Sequence, residues 1–311
     1  MKISIVLSTY NGEKYIIKQM DSIRTQTRKP DEVLILDDQS LDNTVTKIEE
    51  YIKHYDLSST WHLSVNDRNV GWRKNFMNGI MRAKGDLIFP CDQDDIWLSY
   101  KLERMEKLMK SNPRIQVLTS SWIEFYTNGK VKYPRKGDKR LEQIGLGYDI
   151  INISYPGCTY CVRKKILVSA KKYWKATYPH DAILFLLARF SGSLYTTTEP
   201  LIMWRKHKDS AYSIESLQSK GWIEKRKTFE QDKDFVLTLQ RFVENEKISN
   251  KYIQKILNKN LDWIILRSKF YDQKGIYKGL CLFKYIKCYP TFKQYLGDWY
   301  RVYINSQQKV R

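Results

Sequence analysis

The chain has 311 residues with 54 Lys and Arg against 34 Asp and Glu, a formal net charge of +20, and 42% hydrophobic residues. With 14 Gly and 8 Pro it is too apolar and too complex for a disordered or collagen-like polymer, and it is long enough for one or two buried cores. Five cysteines without a secretory start point to a reducing compartment rather than a disulfide scaffold, and no apolar run is long enough to span a bilayer. The expected location is therefore cytoplasmic, with room for peripheral attachment to the inner face of the cell membrane.

The first segment, MKISIVLSTYNGEKY, turns polar after a few apolar residues and reads as a strand rather than a signal peptide. From there to Thr119, strands predicted at Ile3 to Ser8, Glu32 to Asp37, Trp61 to Val65, Asp86 to Cys91 and Ile115 to Thr119 alternate with amphipathic helices. Those helices are predicted over Glu13 to Thr27, Asp42 to Tyr55, Trp72 to Ala83 and Ser99 to Ser111. Such alternation predicts an α/β fold, a Rossmann-like and mainly parallel sheet flanked by helices. Thr127 to Asn152 reads as a loop-rich insertion with Pro134, Gly137, Gly145 and Gly147. Helices near Arg163 to Lys175 and His180 to Phe190 and a strand near Ser193 to Thr198 follow. After Ser219 the composition is helical, with Gly275, Gly279, Pro290 and Gly297 as expected breaks, so a C-terminal helical subdomain closes the chain.

Ligands of open parallel sheets gather beyond the carboxyl ends of the strands. Three polar clusters fall there: Ser8 to Glu13, Asp37 to Asp42, and Asp92-Gln93-Asp94-Asp95. Asp-Asp-x-Ser-x-Asp is also a common helix cap and Asn-Gly-Glu a common turn, so neither of the first two is diagnostic alone. The third follows an apolar strand directly. Carboxylates gathered at one crevice need a cation, and oxygen donors without thiolates suit Mg²⁺ or Mn²⁺.

The succession ISIVLSTYNGEKYI, LILDDQSLDNT, NVGWRKN, GDLIFPCDQDDIW and HDAILFLLA, ending in WRKHKDS, resembles glycosyltransferase family 2, the GT-A fold, over about residues 1 to 213. The DQDDIW form with a downstream His-Asp and Arg-x-His is most similar to bacterial enzymes of cell-surface polysaccharide synthesis, rhamnosyltransferases among them. The resemblance implies a nucleotide-sugar donor, UDP- or dTDP-linked, and a glycan or lipid-linked acceptor. It assigns Thr9, Tyr10 and Glu13 to the nucleotide base, with Tyr10 stacking, and Asp37 to the base edge. It assigns Asp92 to ribose and Asp94 to a divalent cation. Lys74-Asn75 stands where the family has Arg-Asn, which keeps the charge and loses the bidentate fork. Asp181 falls on the catalytic base, and Arg205 and His207 lie by the diphosphate or the metal. The implied division is a catalytic domain over residues 1 to 213 and a basic, aromatic-rich helical region over 214 to 311.

Opposite-face attack by an acceptor hydroxyl inverts the anomeric centre, with a base taking the hydroxyl proton. No Walker pattern is present, which disfavours kinase-like transfer. A nucleotidyltransferase on a similar sheet would also use carboxylates and metal. A nucleic-acid-binding protein would explain the charge, but no RNA-binding signature accompanies it, so nucleic acid is disfavoured as a partner. The last 61 residues hold 13 Lys and Arg against Asp262, Asp272 and Asp298, a local net charge of +10 among many Trp and Tyr. An anionic membrane surface is the expected partner of that region. Cys158-x-x-Cys161 lacks a second pair at similar spacing, which disfavours zinc.

Overall fold

The computed structural model describes residues 1–133, 138–207 and 222–304, with side chains in the last block from Lys225. Pro134, Gly137, the Lys208-Asp209-Ser210 end of the last motif and Ser219 lie outside these residues. The chain forms two compact units. The first holds residues 1–145 and 155–207; the second holds 146–154 and the described residues from 222 onward. No composition signal marks 146–154 as part of the second unit.

In the first unit β1 (Ile3–Thr9), β2 (Glu32–Asp37), β3 (Trp61–Val65) and β4 (Leu87–Asp92) pair in parallel, and α1 (Ile16–Arg24), α2 (Thr44–His54) and α3 (Trp72–Arg82) connect them. The side chains of β1, β2 and β4 are nearly all apolar because both faces are covered, with Ile3, Ile5, Val6 and Leu7 fully buried, whereas the edge strand β3 exposes His62 and Val65. The chain continues through β5 (Ile96–Trp97), α4 (Lys101–Ser111), β6 (Val117–Tyr126), β7 (Val131–Lys132), β8 (Leu141–Gln143), β9 (Cys161–Arg163), α5 (Leu167–Tyr173), α6 (His180–Phe190) and β10 (Leu194–Lys206). Strand order among the described residues is β3-β2-β1-β4-β9-β6-β10-β5, with β7 on β6 and β8 on β10. The long pairings are parallel; the antiparallel ones, including both edges of β9, run over two or three residues.

Several expectations change in detail. The insertion after Thr127 carries the short strands β7 and β8. The strand near Ser193 runs on to Lys206, with register shifts on either side of Pro200, and so carries Arg205 to the site end of the sheet. Helix α4 begins at Lys101, two residues after the expected start at Ser99, and has no side-chain cap.

The second unit contains α7 (Trp222–Asn245), α8 (Lys251–Gln273), α9 (Ile276–Cys281), a 3₁₀ segment (Leu282–Cys288) and α10 (Phe292–Tyr303). Gly279 and Gly297 lie inside helices rather than breaking them. At Gly279 the missing side chain is required, because an added Cβ would collide with the Trp299 ring. Lys274, not Gly275, takes the left-handed position that ends α8 (φ 49°). The core of this unit is ionic as well as apolar. Asp298 on α10 is fully buried, takes both arms of Arg267 at 2.8 and 2.9 Å, and accepts the hydroxyls of Tyr271 and Tyr289 at 2.7 Å each.

Candidate active site

The carboxyl ends of β1 and β2 lie side by side, with Thr9 opposite Asp37 in register. Thr9 Oγ1 donates to Asp37 Oδ2 at 2.7 Å, and Ser40 donates through its backbone N–H to Oδ1 and through its hydroxyl to Oδ2. Both Thr9 and Asp37 are buried. The expected contact of these two residues with a base therefore meets a side-chain pair turned inward, where three donors on one carboxylate lock the two loops together. Asp38 is wired in the same way: Asn66 Nδ2, Val70 N and Gly71 N all donate to it at 2.8 Å. Gly71 holds φ 84°, which a β-carbon would strain, and it starts α3.

Tyr10 is the open member of the first cluster, 42% exposed. Its backbone is clamped by the Gln93 amide, which accepts from Tyr10 N and donates to Tyr10 O at 2.9 Å each. Thus Gln93, the middle of the acidic run, ties the β4 loop to the β1 loop. Glu13 accepts from Asn43 N at 3.1 Å and faces Lys47 at 3.9 Å, at the start of α2. Lys74 points outward and is exposed, whereas its neighbour Asn75 is buried and staples α3 to the sheet. Asn75 Nδ2 donates to Ser8 Oγ and Leu36 O at 2.8 Å each, and its oxygen accepts from Asn66 at 3.0 Å.

The acidic run is held from β10. The Arg205 backbone N–H donates to Asp95 Oδ1 at 2.9 Å, and its Nε donates to the Asp94 carbonyl at 2.6 Å. Its guanidinium lies between the rings of Tyr15 at 4.6 Å and Phe125 at 4.3 Å. His207 Nε2 meets Asp94 Oδ2 at 2.6 Å. The two residues expected to share a metal are therefore brought into direct contact from positions 113 residues apart.

Burial, with the charges of Asp94 and Asp181 nearby, pushes the Asp92 carboxyl up to about 7. Burial and the charges of Asp94 and Asp92 also raise Asp95. Asp95 Oδ2 is buried without a hydrogen-bond partner. Excess negative charge and an orphaned carboxylate oxygen fit a divalent cation. Among the described residues one three-residue group brings candidate ligand atoms within 4.8 Å of one another, Asp92, Asp95 and Cys158; the thiol suits a softer ion than Mg²⁺.

Asp181 sits in the first turn of α6 and accepts from Ala182 N at 2.8 Å. Its neighbour His180 is buried, stacks on Phe76 at 4.2 Å, and has both ring nitrogens without a hydrogen-bond partner. Burial lowers the His180 pKa, against a smaller opposing pull from Asp181. Gly157 admits this corner, since a Cβ there would stand 2.7 Å from His180 Nε2 and 3.0 Å from the Asp181 Cβ.

Motif reading missed Lys101. It is fully buried, donates from Nζ to the Cys158 carbonyl at 2.6 Å, and lies 3.8 Å from the Trp97 ring centre. Burial brings its pKa down to about 8, partly offset by the thiols of Cys158 and Cys91 and by the Asp95 charge. The signal was present: Lys101, Met105 and Met109 follow one another at four-residue spacing on the buried face of α4.

A family model, "Glycosyl transferase family 2", matches residues 4–175, more than half of the chain. A "dTDP-rhamnosyl transferase RfbG" of Shigella flexneri is 30% identical over 215 residues, 66% of this chain and 72% of that protein. A Campylobacter jejuni "GalNAc(5)-diNAcBac-PP-undecaprenol beta-1,3-glucosyltransferase" is 27% identical over 195 residues, 62% of each chain. Among solved structures, S. aureus TarS 1-349 in complex with UDP-GlcNAc superposes with a TM-score of 0.63 at 17% identity, covering 92% of this chain and 80% of that one, and so shares the fold. Strands β1 to β4 and the acidic run after β4 lie within the span of the family model, Asp181, Arg205 and His207 lie beyond it, and the chain belongs to glycosyltransferase family 2.

Proposed function

We propose that this glycosyltransferase moves a sugar from a UDP- or dTDP-linked donor to a hydroxyl of a cell-surface glycan or lipid-linked acceptor, with inversion. One observation carries the reading: at the carboxyl end of β4, where His207 meets Asp94 at 2.6 Å, Asp92 lies near enough to Asp94 and to Asp181 of α6 to feel the charge of both. The names of the Shigella and Campylobacter relatives, a dTDP-rhamnosyl transferase and an undecaprenol-linked glucosyltransferase, support this donor and acceptor chemistry.

Asp181 takes the acceptor hydroxyl proton as the oxygen attacks the anomeric carbon, and the bond to the departing diphosphate breaks on the opposite face. Tyr10 offers its ring to the base, with the Thr9–Asp37 pair and Gln93 fixing its backbone. Asp94 would hold Mg²⁺ or Mn²⁺, with His207 beside it and Asp92 toward the ribose, and the ion would supply positive charge to neutralise the leaving diphosphate. Arg205 keeps the acidic loop in place, and Lys74 supplies a peripheral cation. An anionic membrane surface is proposed as the place where the acceptor is met.

A screen of nucleotide sugars with Mn²⁺ or Mg²⁺, read as nucleoside diphosphate release, tests the reaction. A donor that yields nucleoside diphosphate supports it; pyrophosphate release would identify a nucleotidyltransferase. Asp181→Asn is expected to lower transfer by about 10²–10⁴-fold while donor binding and melting temperature stay unchanged. Transfer at the wild-type rate would remove Asp181 from the role of base.

A further inference from the structure

Helix α10 is patterned inside out. Its inward face carries Tyr295, Asp298 and Val302, and the carboxylate there is satisfied by Arg267 and two tyrosines. Its outward face carries Phe292, Leu296 and Tyr300 at four-residue spacing, continued by Ile304 just past the helix end, each 49 to 58% exposed. A solvated helix normally places such a stripe against the core.

A second apolar row adjoins it. Ile276, Tyr277 and Leu280 on α9 and Phe283 in the following 3₁₀ segment are all exposed. The rows meet at the Tyr295 ring, whose centroid is 6.0 Å from that of Phe283 and 5.8 Å from that of Phe292. Gly279 lets α9 approach the Trp299 ring of α10 and hold the rows together.

Six basic residues lie in the same stretch of chain: Lys274, Lys278, Lys284, Lys287, Lys293 and Arg301. Between Lys274 and Ile304 the only acid is Asp298, and it is fully buried. This segment therefore shows exposed aromatic and aliphatic side chains among basic residues, and the exposed Asp262 of α8 lies near it at Tyr285. Contiguous exposed apolar side chains rimmed by polar ones mark interaction surfaces.

We propose that the face formed by α9, the 3₁₀ segment and α10 docks on an anionic phospholipid surface, with Phe283, Phe292, Leu296 and Tyr300 entering the headgroup boundary and the lysines pairing with lipid phosphates. Amphipathic helices bind lipid interfaces through this combination, and juxtamembrane basic residues add to it. Charge selects lipid over a second copy of the chain, because a two-fold contact of this face with itself would set lysine against lysine. Such docking rests on the reading above that the acceptor is met at a membrane. Vesicle binding is read without sugar donor, so it fails separately from sugar transfer.

The test is co-sedimentation of the full chain with phosphatidylcholine vesicles, with or without phosphatidylglycerol, over a range of salt. Binding is expected only with phosphatidylglycerol and weakening as salt rises. Changing Lys278, Lys284 and Lys287 together to Glu is expected to reduce it about tenfold or more. Leu296→Ser with Tyr300→Ser is expected to reduce it as well, with donor hydrolysis retained in both variants. Equal binding to both vesicle types, binding to neither, or indifference to the charge reversal would overturn the proposal. Concentration-dependent self-association abolished by the serine pair would overturn it in favour of a second copy.

Discussion

Asp92 and Asp95 hold more protons folded than unfolded, because burial and neighbouring carboxylates raise both. A raised carboxyl pKa gives stability that declines as pH rises from the unfolded value of about 4 toward the folded one, about 7 for Asp92. Melting temperature without divalent ions is therefore expected to fall across that window, and Asp92→Asn to flatten the fall. An unchanged slope in the variant would show that Asp92 is not the group responsible. Mn²⁺ is expected to raise the melting temperature more at pH 8 than at pH 5, since only the ionised cluster repels itself enough to need the ion. Equal shifts at both values would separate the ion from these carboxylates. Lys101 belongs to the same balance, an internal cation that anchors the Cys158 carbonyl beneath the acidic loop.

The loop wiring depends on elements rather than on single contacts. Helix α3 can stand against β1 and β2 because Asn75 bonds Ser8 Oγ and the Leu36 carbonyl at once. Asn75→Ala leaves that buried carbonyl and hydroxyl without a donor, an expected loss of about 1–3 kcal/mol in urea unfolding. A cost within error of zero would mean that the loops hold α3 without it. The motif NVGWRKN was legible in the sequence, but its emphasis was not. A spacing argument treats Lys74 and Asn75 alike, and only the rotation of α3 on the sheet turns Asn75 inward and Lys74 out. Likewise the Asp37-Asp38 pair was recognisable as a sheet-end cluster. That both carboxylates face loop donors rather than open space depends on where β3 and its following turn lie.

Each unit has its own kind of core. The first is an apolar sheet core; the second centres on the Arg267–Asp298 pair with two tyrosine hydroxyls. Burial alone would raise the Asp298 pKa, but the Arg267 charge and the hydrogen bonds outweigh it and hold the carboxyl below its ordinary range. A lowered carboxyl pKa contributes stability that is full above the unfolded value of about 4 and is lost as pH falls through the folded one. Asp298→Asn leaves Arg267 buried without its counter-ion, and an expected loss of about 3–5 kcal/mol should appear at neutral pH and shrink in acid. A loss that does not change with pH would mean that packing, not charge, dominates there. No helix among the described residues is long and apolar enough to cross a membrane.

Local pattern was enough for the parallel sheet, for its order of strands and helices, and for the family. Apolar runs of strand length between amphipathic stretches leave few ways to bury both faces, and the polar clusters after them fall at one edge of the sheet. The extension of β10, the membership of residues 146–154 in the second unit, the buried Lys101 and the exposed stripe of α10 were decided by tertiary contacts. Period alone states that a helix has an apolar stripe and a polar one. Which stripe meets the protein depends on what the neighbouring helices offer, and for α10 that was Arg267, a cation that draws Asp298 inward and leaves Phe292, Leu296 and Tyr300 outside.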